Sequence, residues 1–317
     1  MKRTANPLIP MGAITGRPTR EQLIENLEHY RKAGIGHFLI YPRSGLEVEY
    51  MGPEWIEICR VIIEYCAAND MGVWLYDEYN WPSGKCKGKV IRADSAFSSR
   101  KLVAFADRNF CGVENPEAPA AEYFWTEMSI PLYADLLNPD AVECFINLTH
   151  EVYYRHFKEY FGSTVKGIFS DEPSFMYACF QSVRGSSLEV PCYAGLREEY
   201  RGETGRELIG DFEAFLRGNP PEQLWETVYS LFGRRFRSVY FDRVRNWCQD
   251  RGIQFTGHLM SEPHPPASIA ASGDPVMAMR SFSMPGLDEI CTRYQFETIE
   301  WNTFKLLESA MHGPYAE

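Results

Sequence analysis

Carboxylates follow apolar, strand-like runs at three places in the sequence. Asp77 and Glu78 come directly after the run at residues 73–76, and Asp171 and Glu172 follow the run at residues 165–170. A third carboxylate, Glu262, lies shortly beyond the run at residues 253–257. Because the carboxyl ends of consecutive parallel strands open on one face of a barrel, these distant residues are expected to surround one pocket.

Two carboxyl groups at one pocket are what cleavage of a glycosidic bond requires. One carboxylic acid protonates the leaving oxygen, and a second carboxylate activates water or attacks the anomeric carbon. The sequence makes Glu172 and Glu262 the candidates for catalysis. Helix caps and solvated loop pairs are the structural alternatives for such residues, but recurrence at three strand ends favours the catalytic interpretation.

Polar and aromatic residues near the same strand ends are candidates for binding a sugar. Tyr79, Trp81 and Phe175 offer flat apolar faces that suit the C–H surfaces of a sugar ring. His258 is expected to hydrogen-bond a substrate hydroxyl, and Arg43 to clamp a carboxylate of the protein or of a substrate. The predicted substrate-binding residues are Arg43, Tyr76, Asp77, Glu78, Asn80, Trp81, Asp171, His258 and Asp288.

Two other functions remain open from the residues alone. Glu172, His258 and Asp288 around a divalent metal would suit a sugar isomerase or epimerase, and the pocket could also bind carbohydrate without turnover. His258 and Glu262, four residues apart on a loop, are a weak metal signature. The metal ligands are therefore left unassigned.

Alternating strands and helices are expected to position these residues. Helix starts are indicated by a capping box at Thr19 and Gln22, by Pro53, and by Asn138 followed by Pro139. Residues 42–45 are predicted to form a polar turn, and residues 222–250 and 297–311 to form helices. The predicted strands are residues 8–15, 37–41, 73–76, 165–170, 253–257 and 286–291.

Strands and helices that alternate with short loops are typical of right-handed βαβ units on a parallel sheet. Six units can be counted, whereas eight close a (β/α)8 TIM-type barrel. We therefore expect an α/β barrel truncated after about six βα units, forming a single domain over residues 1–317 that is incomplete at its C-terminus. Insertions at about residues 85–137 and 174–220 follow strands three and four, above the predicted binding face.

Composition and charge narrow the range of partners. The 32 basic and 43 acidic residues give a formal charge of −11, which disfavours nucleic acid and anionic membranes. Nine cysteines without a Cys-x-x-Cys motif indicate reduced thiols. Because the sequence shows neither a signal peptide nor a bilayer-spanning run, the chain as given is expected to be cytoplasmic.

Five segments carry a resemblance to a known family. They are Tyr41-Pro42-Arg43, residues 73–84 (VWLYDEYNWPSG), Ser170-Asp171-Glu172-Pro173, Thr256-Gly257-His258 with Glu262, and residues 273–288. Together they resemble the barrel of large bacterial glycoside hydrolases related to the family 106 α-L-rhamnosidases. The resemblance covers most of residues 8–295 and is most specific at residues 73–84.

The resemblance implies a (β/α)8 barrel within a longer secreted or periplasmic enzyme, often one with β-sandwich domains. It implies Glu172 as the acid, Glu262 as the second carboxylate, a terminal sugar of a plant or host glycan as substrate, and calcium dependence with unassigned ligands. The sequence departs from the pattern by lacking a signal peptide, the closing strands and any accessory domain. We expect the missing barrel segments or accessory domains in a full-length protein.

Overall fold

The computed structural model describes residues 7–107, 109, 123–288 and 301–312. The strands in this part of the chain are β1 (Met11–Gly16), β2 (His37–Leu46), β3 (Gly72–Tyr76), β4 (Ser98–Phe105), β5 (Phe124–Ala134), β6 (Val165–Asp171), β7 (Ser186–Cys192), β8 (Gln254–His258) and β9 (Met284–Pro285).

The helices alternate with these strands, as the sequence predicts. They are α1 (Arg20–Lys32), α2 (Pro53–Ala68), α3 (Lys89–Ala93), α4 (Pro139–Leu148), α5 (His150–Phe157), α6 (Leu196–Thr204), α7 (Leu208–Leu216), α8 (Leu224–Phe236), α9 (Asp242–Asp250), α10 (Pro265–Ser272), α11 (Pro275–Met279) and α12 (Trp301–His312). The capping box at Thr19 and Gln22 is confirmed, as are the starts at Pro53 and Pro139.

Six strands form a parallel sheet in the order β1-β2-β3-β6-β8-β9. The prediction of an α/β fold on a parallel sheet is confirmed. Within the described residues β1 and β9 are the two edges, and no pairing between them closes the sheet. The closed (β/α)8 barrel is therefore not shown.

The two faces of this sheet have different environments because side chains alternate along a strand. Phe38, Ile40, Val73, Leu75 and Phe255 belong to the large core shared with the helices. The intervening residues lie on the opposite face in a smaller aromatic cluster, whose buried members are Leu39, Tyr41, Trp74 and Tyr76. That second face of the sheet forms the wall of a cavity.

Both predicted insertions contribute strands to one further sheet. β4 and β5 from the first insertion pair antiparallel, and β7 from the second insertion pairs with the other edge of β4. Lys101 on β4 is wholly buried and donates to Glu189 on β7, with 2.6 Å between Nζ and Oε2. The insertions are thus one structural unit, which the sequence pattern did not reveal.

Two strand boundaries differ from the sequence predictions. β2 continues through Pro42 to Leu46, where a turn was predicted, because it pairs with β1 there. Its pairing with β3 ends at Ile40, so Pro42 faces no ladder on that side and its missing N–H is tolerated. The sixth strand was placed too late: Met284 and Pro285 pair with β8, Gly286–Asp288 is irregular, and residues 289–291 lie outside the described part.

Helix continuity also differs at two places. The helix predicted after Pro139 is interrupted at Thr149, whose hydroxyl donates to the carbonyl of Phe145 at 2.7 Å. The predicted helix over residues 222–250 is instead α8 and α9 joined by a π-helical turn at Arg237–Phe241. The last helix is confirmed over Trp301–His312, whereas its predicted start near residue 297 lies outside the described residues.

No helix in the described ranges combines the length and the apolar character that a bilayer crossing requires.

Candidate functional site

A cavity of about 470 Å³ lies on the aromatic face of the parallel sheet. Its volume is within the range of about 300–1,000 Å³ that small-molecule sites occupy. Every strand of the sheet, or the loop that follows it, supplies part of the wall. The lining residues are Ile9, Met11, Leu39, Tyr41, Arg43, Trp74, Phe169, Asp171, Thr256, His258, Met284, Leu287 and Asp288.

Strand register brings Asp171 and His258 together at this cavity. They are partners at the ends of β6 and β8, and 2.7 Å separates Asp171 Oδ1 from His258 Nε2. The other imidazole nitrogen, Nδ1, lies 3.0 Å from the carbonyl of Leu259 and 3.4 Å from Glu262 Oε1. Both nitrogens of His258 are therefore engaged.

The surroundings of His258 favour its charged form. Burial disfavours the imidazolium, but the hydrogen bonds to Asp171 and Glu262 outweigh burial and raise the pKa well above its ordinary value. A protonated His258 donates from both nitrogens, to Asp171 on one side and to the Leu259 carbonyl on the other. The cavity wall thus carries a fixed positive charge beside the Asp171 carboxylate.

Glu172 follows directly after β6 and is the half-buried carboxyl group nearest this charge pair. Its backbone adopts φ +46°, which is uncommon for a residue other than glycine, before Pro173 continues the chain. Desolvation raises the pKa of Glu172, and the nearby His258 charge opposes part of that rise. An upward shift of the pKa is the direction that suits a proton donor.

Asp288 joins Glu172 and His258 in one cluster. One ligand-type atom from each of these three side chains lies within 4.8 Å of the others. Asp288 is exposed and lines the cavity, whereas Glu172 is half-buried beside it. Asp288 was predicted to lie within a strand at residues 286–291, and its approach to Glu172 was not expected from the strand-end pattern.

Glu262, the predicted second catalytic carboxylate, lies elsewhere. Its side chain is almost wholly buried, and its Oε1 accepts the backbone N–H of Leu259 at 2.8 Å. Because it sits behind His258 instead of lining the cavity, it holds the imidazole and the following loop in place. The expectation that Glu262 faces the substrate is corrected to a supporting position.

Asp77 and Glu78 are also interior groups, in contrast to the expectation that they contact a ligand. Glu78 is fully buried and accepts four backbone N–H groups, from Tyr79, Lys85, Cys86 and Lys87, at 2.7–2.9 Å. Burial raises the pKa of Glu78, and the N–H donors oppose that rise. The carboxylate organises the loop after β3.

Asp77 forms a separate buried pair with His150. Its Oδ1 accepts the hydroxyl of Ser83 at 2.6 Å, and its Oδ2 lies 3.9 Å from His150 Nε2. Burial raises the pKa of Asp77 well above its ordinary value and lowers the pKa of His150 to about 3. Burial thus disfavours the charged form of both groups.

Ser83 and Tyr76 link this interior to the cavity wall. Ser83 Oγ accepts the backbone N–H of Asp171 at 2.8 Å, and the Tyr76 hydroxyl donates to Asp171 Oδ2. The hydroxyl of Tyr76 also lies close to the carbonyl of Asn80. The backbone N–H of Asn80 donates to the carbonyl of Pro42 at 3.0 Å. Tyr76 and Asn80 thus position the loop and Asp171.

Arg43 and Trp81 form an aromatic and cationic platform with Tyr41. The Arg43 guanidinium carbon lies 5.0 Å from the centroid of Tyr41 and 4.8 Å from that of Trp81. Arg43 also donates to the Tyr41 hydroxyl. Trp81 is 44% exposed, which leaves ring surface accessible, whereas Phe175 is buried against Phe232 and Phe236 and offers no sugar-stacking face.

Sequence reasoning missed Tyr41 and Ser83 as site residues. Tyr41 lies in a strand-like run and Ser83 in a turn, and neither type alone indicates chemistry. The available signal was their proximity in sequence to Arg43 and to the carboxylates after β3. Their roles depend on contacts with Asp171 and Arg43 that only the fold brings about.

The cluster does not fit calcium. Calcium takes six to eight oxygen ligands, whereas the described cluster offers two carboxylates and an imidazole. The imidazole is moreover bonded through Nε2 to Asp171 and has a raised pKa, so it has no free lone pair for a metal. No catalytic step is therefore routed through calcium.

The sequence matches no protein-family model and no curated protein, but the fold resembles solved glycoside hydrolases. The rhamnosidase from Novosphingobium sp. PP1Y superposes with a TM-score of 0.53 at 9% identity, over 88% of this chain and 48% of that one. A β-galactosidase from the Antarctic haloarchaeon Halorubrum lacusprofundi gives a TM-score of 0.50 at 11% identity, over 91% and 42%.

These likenesses support a distant, glycoside-hydrolase-like fold. The chain spans less than half the length of either of these proteins. At such identities the similarity concerns the architecture and not the individual site residues.

Proposed function

We propose that the protein is a glycoside hydrolase that removes a terminal sugar from a plant or host glycan, with Glu172 as the general acid. The observation that carries the proposal is the position of Glu172: a half-buried carboxyl group with a raised pKa beside a strand-end cavity. The fold similarity to glycoside hydrolases and the resemblance to family 106 α-L-rhamnosidases point the same way.

The chemistry assigned to Glu172 is proton donation to the leaving oxygen. A carboxylic acid is effective in this role when its pKa lies near the working pH, and burial moves the pKa of Glu172 in that direction. The charge of His258 opposes part of the rise in the pKa of Glu172. Asp171 holds His258 in this orientation.

We assign the second carboxylate to Asp288 instead of Glu262. Asp288 is exposed at the cavity and has an oxygen within 4.8 Å of Glu172, whereas Glu262 is buried behind His258. The 4.8 Å limit applies to one oxygen of each carboxyl group, and it is compatible with the about 5–5.5 Å between the carboxyl groups of retaining enzymes. Proton NMR of the first product should show a retained anomeric configuration, and an inverted product would contradict direct attack by Asp288.

The proposal is tested by hydrolysis of a panel of alkyl glycosides, whose leaving groups require protonation. Glu172→Gln should lower kcat/KM by roughly 10²–10⁴-fold, since the amide cannot donate the proton. Glu49→Gln changes an exposed glutamate in a surface ion pair and serves as the matched control. Unchanged hydrolysis by Glu172→Gln would remove the assigned role.

A metal-dependent sugar isomerase is the second candidate. It is favoured by one observation, the approach of Glu172, His258 and Asp288 to within 4.8 Å of one another. The engagement of both His258 nitrogens weighs against it. Elemental analysis separates the two functions, because stoichiometric Mn, Mg or Zn that is lost in Asp288→Asn would favour the isomerase.

A further inference from the structure

Arg43 is a part-buried cation on the wall of the cavity, and its plane is fixed by two rings. The guanidinium carbon lies 5.0 Å and 4.8 Å from the centroids of Tyr41 and Trp81. One of its N–H groups donates to the Tyr41 hydroxyl. An arginine guanidinium has five N–H donors in a planar fork, so most of its hydrogen-bonding capacity is unused by this contact.

Arg251 is a second arginine whose guanidinium lies over two aromatic rings, and its contacts are structural. Its guanidinium carbon also lies over two rings, at 4.7 Å from Tyr154 and 4.2 Å from Trp247. Unlike Arg43, it is paired with a carboxylate, Glu151, at 2.6 Å. For Arg43, no carboxylate among residues 7–107, 123–288 and 301–312 lies at salt-bridge distance.

The chemistry of the unused donors specifies the complementary group. Two parallel N–H donors of a guanidinium match the two oxygens of a carboxylate in a bidentate pair, which is stronger and more directional than a neutral hydrogen bond. Stacking on Tyr41 and Trp81 removes the freedom of the fork before a ligand arrives. The guanidinium of Arg43 is therefore pre-organised for a planar anion.

The other charges of the cavity restrict where such an anion can lie. Glu172 and Asp288 form the acidic end of the site, and Asp171 is already neutralised by its contact with His258. A ligand carboxylate is repelled by Asp288 and attracted by Arg43. A sugar ring that spans the cavity would thus direct its carboxylate to Arg43 and its anomeric carbon to Glu172.

We propose that Arg43 binds the carboxylate of a uronic acid, so that the sugar recognised in this cavity is acidic. The proposal deepens the hydrolase function proposed above and rests on it for the position of the anomeric carbon. The exposed ring of Trp81 beside Arg43 supplies a face for the C–H surface of the same sugar. The net charge of −11 gives an anion no long-range attraction, so any preference must come from local contacts.

Calorimetric titration with free sugars tests this binding directly. The probes are D-glucuronate and D-galacturonate, each compared with its uronamide, which has nearly the same shape but no charge. We expect at least one uronate to bind about 10-fold or more tightly than its uronamide, since charge-assisted pairs are about twice as strong as neutral ones. Arg43→Gln should abolish this preference, and Arg43→Lys should keep part of it.

Arg60→Gln is the matched control, because Arg60 also lies over a ring, Phe157, at 5.2 Å but outside the cavity. It should leave the uronate preference unchanged, and thermal unfolding should show that Arg43→Gln is folded. The proposal is overturned if neither uronate binds, if uronate and uronamide bind equally, or if Arg43→Gln keeps the preference.

Hydrolysis separates this proposal from the function on which it rests. Aryl uronides should be cleaved with a higher kcat/KM than aryl uronamides, and Arg43→Gln should remove that difference. If no aryl glycoside of either kind is cleaved while the uronate preference in binding remains, the hydrolase proposal fails and the role of Arg43 stands. If neutral glycosides are cleaved and uronides are not, the role of Arg43 fails and the hydrolase stands.

Discussion

At the scale of single residues, the charge of His258 affects the pKa of Glu172. The positive charge of His258 lowers the pKa of Glu172, while burial raises it by more. A general acid must be protonated, so activity is lost as pH rises through the pKa of Glu172 in the folded protein. The position of this alkaline limb therefore reports the electrostatic environment of Glu172.

Replacing His258 by Gln should move the alkaline limb of kcat/KM to higher pH. Without the imidazolium, the opposing charge disappears and Asp171 becomes an uncompensated neighbour, and both changes raise the pKa of Glu172. The measurement is the pH profile of kcat/KM for an aryl glycoside. The exposed His29 on α1 gives the control variant, His29→Gln, with an unmoved limb, and a limb that moves to lower pH in His258→Gln would contradict the coupling.

Glu78→Gln should destabilise the protein even though Glu78 is outside the cavity. The amide NH₂ group must face two of the four backbone N–H groups that the carboxylate now accepts, and these donors lose their acceptor. A cost of about 2–4 kcal/mol in the free energy of unfolding is expected from urea denaturation. Glu49→Gln changes an exposed ion pair and should cost much less, because exposed ion pairs contribute little to stability; similar losses in both variants would contradict the role of Glu78.

The sequence predicts the placement of Glu172 and Asp171 at a strand end, but not which carboxylates turn inward. Asp77, Glu78 and Glu262 follow strands in the same way as Glu172. Their partners are backbone N–H groups and hydroxyls of loops whose path cannot be read from residue types. Distinguishing a buried carboxylate from a cavity carboxylate therefore required the folded loops.

At the scale of elements, β2 and β3 are predictable because their apolar runs are continuous and buried on both faces. The turn signal of Pro42 to Gly45 was overridden by pairing with β1, which is a non-local contact. The sheet of β4, β5 and β7 was missed for the same reason. It joins segments that are about 80 residues apart in sequence.

The ion pair between Lys101 and Glu189 joins β4 to β7 in the antiparallel sheet. Lys101→Met should lower the free energy of unfolding by about 3–5 kcal/mol, since Glu189 is left part-buried without its cation. The control is Arg201→Gln, which removes an exposed partner of Glu207 and should cost much less, because exposed ion pairs contribute little to stability. Equal costs in urea denaturation would show that the buried pair has no special role.

At the scale of the whole molecule, the parallel arrangement of the strands explains why the site can be assembled from residues that are distant in sequence. Asp171 and His258 lie at the carboxyl ends of the neighbouring strands β6 and β8, and Asp288 follows the carboxyl end of β9. Because these strands are parallel, the three residues lie at the same end of the sheet. The parallel architecture could be inferred from alternating strands and helices. Closure of a barrel could not, because it depends on pairing between the first and last strands, and the organisation of residues 1–317 as a single domain stays a prediction.

Glu172 as the proton donor of this assembled site is tested most directly by leaving-group dependence. Dinitrophenyl glycosides leave without protonation, whereas alkyl glycosides of the same sugar require it. Glu172→Gln should lower kcat/KM by roughly 10²–10⁴-fold for the alkyl glycosides and by less than about 10-fold for the dinitrophenyl glycosides. Equal losses for both leaving groups, or no loss for either, would contradict general acid catalysis by Glu172.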